Sequence, residues 1–398
     1  MLPVTMWMAL APGVLMPATS ASNFDDDVEF LKEHVKTIVL TDTSGRAKVA
    51  VVPQYQGRVM TSTDGASGMS YGWLNRDLIS SGELREHINA FGGEDRFWIG
   101  PEGGQFSIYF PPGSPFDLEH WQTPPPIDSI AYPTVAATKG SATFVKRFEL
   151  QNYIGFKFDV EVTRVVRVVE TQEAERLLGV DIPSGVHMVC VETKNTIKNH
   201  GKTWDEDTGL LSIWILGMLN ASPTTTVAVP YVTGSASRLG PIVNDTYFGK
   251  VPADRLKVEG GVIYFKGDGN YRSKIGVSPR RAKETLGSYD ATGRVLTLAQ
   301  FTLPGNTTRY VNSMWELQSE PYGGDAVNSY NDGPPAPGAA QMGKFYELES
   351  SSPALLLAKG ASGTHYHRTY HFHGPEAALD KIAKATLGVG VKRIASAL

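Results

Sequence analysis

Two runs near the end of the chain, F-Y-E-L-E-S-S-S-P (345–353) and H-Y-H-R-T-Y-H-F-H-G (365–374), decide how it is read. Both alternate with a period of two, the repeat of a strand whose side chains leave on opposite faces. Glu347 and Glu349 therefore share one face. So do His365, His367, Thr369, His371 and His373, with Tyr366, Arg368, Tyr370 and Phe372 opposite. Just before them, P-Y-G-G-D-A-V-N-S-Y-N-D-G-P-P (321–335) has the composition of a turn and carries Asp325, Asn328, Tyr330, Asn331 and Asp332. Pro334, Pro335 and Pro337 stiffen the return, which predicts one fixed loop beside the carboxylates.

Outward from there, strand patterns recur at 293–302, 308–318, 260–266, 225–232, 209–218 and 186–201, through a run from 141 to 169, and at 57–62, 47–53 and 37–41. Another reads at 105–110, with Phe106, Ile108 and Phe110 on one face and Gln105, Ser107 and Tyr109 on the other. Helical patterns are few: from an Asn23 cap to about Val35, at Glu83–Ile88, from a Thr171 cap to Leu178, and from Pro375 to Leu387. Strands that follow one another without helices between them argue for an antiparallel sheet, not a parallel one. The expected class is all-β, a large antiparallel sandwich with short peripheral helices.

The chain of 398 residues is long enough for a large core, and its net charge of −4 with no basic block argues against a nucleic-acid partner. Cys190 is the only cysteine, so no internal disulfide forms. Met6–Met16 is largely apolar and is followed by small residues at 18–22, the pattern of a signal peptide without its basic start. Residues 1–22 are read as a leader of a secreted or periplasmic protein, 23–374 as the β-sandwich, and 375–398 as a C-terminal helix and tail. No stretch is long and apolar enough for a membrane span.

Two carboxylates at i and i+2 on a strand lie roughly 7 Å apart and push their pKa values apart, the arrangement of an acid and base pair. A cross-strand Lys, Arg or His neutralising each is the alternative. The histidines spread over more than about 20 Å along their strand, so this run alone does not make a metal site. No metal or cofactor is expected. His367 is read as a ligand to hydroxyls and His371 as a proton partner of the glutamates. Aromatic rings beside amides and carboxylates suit a sugar, whose C–H faces stack on rings while its hydroxyls meet polar tips. Trp98, Glu102 and Gln105 flanking Gly103-Gly104, Lys266 and Arg272 in K-G-D-G-N-Y-R-S-K, and Arg58 complete the candidate set. Arg58 reads as readily as a surface ion pair.

The runs Q-G-R-V-M-T-S (56–62), W-I-G-P-E-G-G-Q-F (98–106), N-T-I-K-N-H-G (195–201), P-Y-G-G-D-A-V-N-S-Y-N-D-G-P (321–334) and E-L-E-S-S-S-P (347–353) resemble the galactose mutarotase-like superfamily over about 30–374, in an uncharacterised bacterial branch related to aldose 1-epimerases. The resemblance implies a β-supersandwich that binds carbohydrate on a concave sheet face, with a late-strand glutamate as base and mid-chain histidines as acid. Glu347 or Glu349 matches the base. Where epimerases carry an H-x-Y-F-N-L-like strand, this chain has Ser212-Ile213-Trp214-Ile215-Leu216, which leaves His187, His200 or His371 to replace the acid. The expected function is carbohydrate binding with epimerase-like acid–base chemistry, Glu349 being the base and Glu347 or His371 its partner. A non-catalytic carbohydrate-binding protein and a glycoside hydrolase or lyase are the alternatives.

Overall fold

The alternating run 345–353 becomes the strand Phe345–Ser351, at the centre of a five-stranded sheet. Its order is Ser273–Val277, Val327–Asn331, Phe345–Ser351, Ser212–Asn220, Arg96–Gly100, antiparallel throughout. The computed structural model describes residues 23–336 and 338–398, so the leader read at 1–22 and the stiffening assigned to Pro337 lie outside the described residues.

The histidine run becomes Ser362–His373, inside a ten-stranded antiparallel sheet. It pairs with Val295–Phe301 on one side and His187–Asn199 on the other. Beyond those lie Thr285–Asp290, Thr225–Pro230, Val262–Lys266 and Leu256–Glu259 in one direction, and Lys157–Val168, Ser141–Gln151 and Thr134–Ala137 in the other. The two sheets pack face to face. Ile275, Val277 and Leu348 from the smaller one share an apolar cluster with Val227, Ile263 and Phe265 from the larger. A third sheet of three strands, Ile38–Thr41, Lys48–Val52 and Arg58–Thr63, is covered by the helices Phe24–His34 and Arg76–Ser81 through Phe24, Leu31, Leu78 and Ile79. The fold is thus an all-β antiparallel sandwich with short helices at its margins.

Helix Phe24–His34 is capped as its sequence implies, the Asn23 carboxamide oxygen accepting from the Asp25 and Asp26 N–H groups at 2.9 and 3.3 Å. The helices Glu376–Leu387 and Val391–Ala395 are not a loose tail. Leu379, Ile382, Leu387 and Ile394 pack on Leu296, Tyr370 and Phe372 of the large sheet.

Several elements differ from expectation. Residues 83–88 are not helical, and the short helix there is Arg76–Ser81, capped by Asn75. Residues 105–110 form turns, and the strand precedes them at Arg96–Gly100. Residues 308–318 are irregular, and Thr171 opens its helix with Glu170 at the cap position. Most consequential, 327–331 is a strand and not part of a loop. It pairs with the glutamate strand in register, Asn328 opposite Glu349 and Tyr330 opposite Glu347. Among the described residues no helix is long and apolar enough to cross a membrane.

Candidate functional site

The strand register of the small sheet assembles one face residue by residue. Lys274, Tyr330, Glu347 and Met218 stand in one cross-strand row. Gly276, Asn328, Glu349, Leu216 and Arg96 form the next, and Trp214 pairs with Trp98 beyond. Alternation turns this set away from the sandwich core. Loops close over it to leave a cleft of about 320 Å³. Arg96, Lys274 and Glu347 line its base. Trp98, Trp121, Trp214, Trp315, Tyr330 and Phe345 form its walls, and His87, Glu102, Arg272 and Asp332 add polar groups.

The two glutamates differ sharply. Glu347 faces the cleft with Arg96 Nη2 3.1 Å from its Oε1. Its carboxyl is nevertheless pushed up from 4.5 to about 8, because burial outweighs Arg96, and the adjoining Glu349 adds to the rise. Glu349 lies beneath, fully buried and outside the cleft lining. Its Oε2 accepts from Lys274 Nζ at 3.0 Å and Trp214 Nε1 at 2.9 Å. Its Oε1 has no partner among the described residues. The sequence offered Glu349 as the base, but the carboxyl open to a ligand is Glu347.

The surrounding groups are braced. Asp332 accepts from the Tyr330 hydroxyl at 2.8 Å and the Gly343 N–H at 2.9 Å, and burial raises its pKa. Burial likewise raises Glu102, which the Trp315 indole N–H contacts. Arg272 lies 3.9 Å over the Phe248 ring. Behind the cleft, a void of about 10 Å³, room for about one water, is lined by Trp214, Lys274, Tyr247, Asp325 and Asn328. Asp325 accepts from the Tyr247 hydroxyl at 2.7 Å, and its removal from water pushes it up to about 6.

Of the sequence candidates, Trp98, Glu102, Arg272, Tyr330, Asp332 and Glu347 meet in the cleft, while Glu349, Asp325 and Asn328 stand directly behind it. The remaining six do not belong to it. Arg58 opens the third strand of the three-stranded sheet and is buried there, donating to the Gly92 carbonyl at 3.1 Å and to Gln56 Oε1 at 3.1 Å. Gln105 ties down the neighbouring loop by exchanging hydrogen bonds with the Gln318 backbone. Lys266 ends a strand of the large sheet opposite Thr226. Asn331 points to the other face from Tyr330 and clamps the 268–271 turn through the Gly269 N–H and the Tyr271 carbonyl.

His367 and His371 face the gap between sheets. Ser350 Oγ sits 2.8 Å from both His365 Nε2 and His367 Nδ1, and burial pushes these imidazoles down to about 3 and about 4. His371 stacks on Tyr71 at 4.2 Å, with Nε2 2.8 Å from Glu94 Oε2. Neither histidine reaches Glu347's cleft. No group of three or more His, Cys, Asp or Glu among the described residues is arranged to hold a metal ion.

Sequence reasoning passed over Arg96, Trp121, Trp315 and His87. The first was legible: alternation through R-F-W-I-G sets Arg96 beside Trp98 once the strand is placed there. His87 Nδ1 lies 2.7 Å from the Trp121 carbonyl oxygen, which can only accept. Nδ1 therefore carries a proton, and the hydrogen bond leaves Nε2 without a partner among the described residues.

A comparison with curated proteins gives no match. Solved structures similar to the chain include the Slr1438 protein from Synechocystis sp. PCC 6803, at TM-score 0.49 and 12% identity over 85% of this chain and 96% of that one. A putative aldose 1-epimerase from Escherichia coli K12 also has TM-score 0.49 and 12% identity, over 84% and 98%. A putative mutarotase from Salmonella typhimurium has TM-score 0.49 and 10% identity, over 86% and 92%. Residues 22–398 match the family of unknown function DUF6786, and the chain belongs to that family.

Proposed function

We propose that the cleft binds a sugar ring and that Glu347 acts on it as a general acid. The observation that carries this reading is the place of Glu347, a buried carboxyl at the base of an aromatic-walled cleft, 3.1 Å from Arg96 and beside Glu349, where burial raises its pKa. At neutral pH it keeps its proton and can give it to a ring or exocyclic oxygen, which an ordinary surface carboxylate cannot do. Trp98, Trp214 and Tyr330 offer faces for the C–H side of a pyranose, and Arg96, Lys274 and Asp332 offer partners for its hydroxyls.

Ring opening of an aldose needs one proton delivered to the ring oxygen and one removed from the anomeric hydroxyl. Glu347 supplies the first. His87, whose Nδ1–H is committed to the Trp121 carbonyl, takes the second at Nε2. Glu349 does not touch the sugar. It fixes Lys274 and Trp214 and, as a neighbouring carboxyl, holds the proton on Glu347.

One-dimensional NMR of freshly dissolved α-anomers tests this across hexoses, pentoses and uronic acids. Faster equilibration with the wild-type protein, lost in Glu347→Gln and His87→Gln, is the expected result. No acceleration with any sugar rules out mutarotation. A second reading, binding without turnover, draws on the occupied state of both carboxylates, Arg96 on Glu347 and Lys274 on Glu349. Saturable sugar binding that persists in Glu347→Gln, with no change in anomer ratio, would favour it.

A further inference from the structure

The cleft keeps its most buried charges at its base and carries exposed apolar side chains along its lining. Arg96, Lys274 and Glu347 at the base are all nearly buried. At the mouth, Leu118 is 58% exposed, and Phe248 and Met342 are each 41% exposed. Single exposed apolar side chains are ordinary on any protein surface. Three large ones gathered around the opening of a cleft whose charges lie underneath are not, since apolar groups held together in water mark a place where something apolar is meant to cover them. A bare pyranose seated against Arg96, Lys274 and Glu347 would leave these three apolar side chains uncovered in water.

We infer that the ligand is a sugar carrying an apolar substituent, an alkyl, acyl or aryl group that lies across Leu118, Phe248 and Met342 while the ring occupies the base. This rests on the reading of the cleft as a sugar site and adds its substrate class. Arg272 supports the Phe248 ring from one side at 3.9 Å, which leaves the ring held in place as one wall for the substituent.

Calorimetric titration of the full chain with matched methyl and octyl β-glycosides of glucose, galactose, mannose and xylose tests the inference, with 6-O-octanoyl glucose as the arm that keeps the anomeric hydroxyl free and n-octanol as the arm without a sugar. A fully buried methylene strengthens binding by about a factor of four. Partial cover of an octyl chain should therefore make at least one octyl or octanoyl sugar roughly tenfold tighter than its methyl or free counterpart. A tighter octanoyl ester than octyl glycoside places the substituent away from the anomeric carbon. Leu118→Ser and Met342→Ser, both exposed, should reduce that advantage and leave methyl-glycoside or free-sugar binding unchanged. Equal affinity for methyl and octyl partners overturns the substituent while keeping the sugar site. Octanol binding as well as the octyl sugars, or no binding by any probe, overturns the sugar reading and this inference with it.

Discussion

Glu347→Gln separates the two forces acting on that carboxyl, because burial and the Arg96 guanidinium pull its proton affinity in opposite directions. If burial wins, the folded protein holds a proton on Glu347 from 4.5 up to about 8 while the unfolded chain has released it. The folded state then binds more protons than the unfolded one, so this group's contribution to stability is fully present below 4.5 and is lost as pH rises toward 8. At ~1.4 kcal/mol per pH unit the interval amounts to ~5 kcal/mol at most. Glutamine copies the protonated acid in shape and charge, so the variant lacks this dependence. Urea unfolding followed by tryptophan fluorescence, run on both proteins across the interval, should show the variant gaining on the wild type by several kcal/mol as pH rises. Taking the difference between the two curves removes the titrating groups that Glu347 does not touch and leaves Glu347 together with the adjoining Glu349. A difference that stays flat, or one in which the variant loses ground, would mean that Arg96 dominates and Glu347 is an ordinary buried ion-pair partner. The acid role would then have no support.

Three further outcomes follow from other parts of the sheet pair. Trp214→Phe keeps a ring between Trp98 and Lys274 but deletes the indole N–H that meets Glu349 at 2.9 Å. The loss of a hydrogen bond to a buried charged group should cost about 1.5–3 kcal/mol in urea titrations, and unchanged stability would mean Lys274 alone suffices. His367 is held neutral in the fold, with its pKa lowered from 6.5 to about 4, so the unfolded chain binds more protons in that interval and stability falls as pH drops through it. His367→Gln should flatten this acid limb by ~3 kcal/mol, and identical acid limbs would place the imidazole in contact with water. A methyl group at Gly276 would collide with the Asp325 carboxylate, so Gly276→Ala should lower stability by about 1–3 kcal/mol and free the Tyr247 hydroxyl. Wild-type thermal stability in that variant would show that the Asp325 side chain moves aside without cost.

The period-two pattern told which residues share a face, and it held where the strands were long. Glu347 with Glu349, and His365 with His367 and His371, stand together as their spacing requires. Alternation carries no information about which face meets the ligand, because that depends on strand order. Ser362–His373 went to the middle of the large sheet, with its histidines turned into the sandwich interior, and no local pattern distinguishes that from the cleft face. Val327–Asn331 was hidden for a different reason. Asn, Ser and Asp favour turns by bonding their own backbone, but here Asn328 reaches the Ile275 carbonyl at 3.2 Å and Asn331 reaches the 268–271 turn, so tertiary partners replace the local ones. Arg96 was lost to a misplaced strand, since the Phe106, Ile108 and Phe110 spacing copies a strand while those residues sit in turns.

The density of polar and titratable residues in the histidine run was therefore a poor guide to a site. His365 and His367 bond the same Ser350 hydroxyl and are pushed neutral by burial, so they join two sheets at little electrostatic cost. The glutamate pair is the opposite case. Two carboxyls forced together by an i, i+2 repeat cannot both be charged cheaply in a buried place, whatever surrounds them. One is fixed by Lys274 and Trp214, and the proton is left to the other. A like-charge pair imposed by the backbone period is a conflict that the rest of the fold must resolve, and its resolution leaves the proton on Glu347, the member of the pair that lines the cleft.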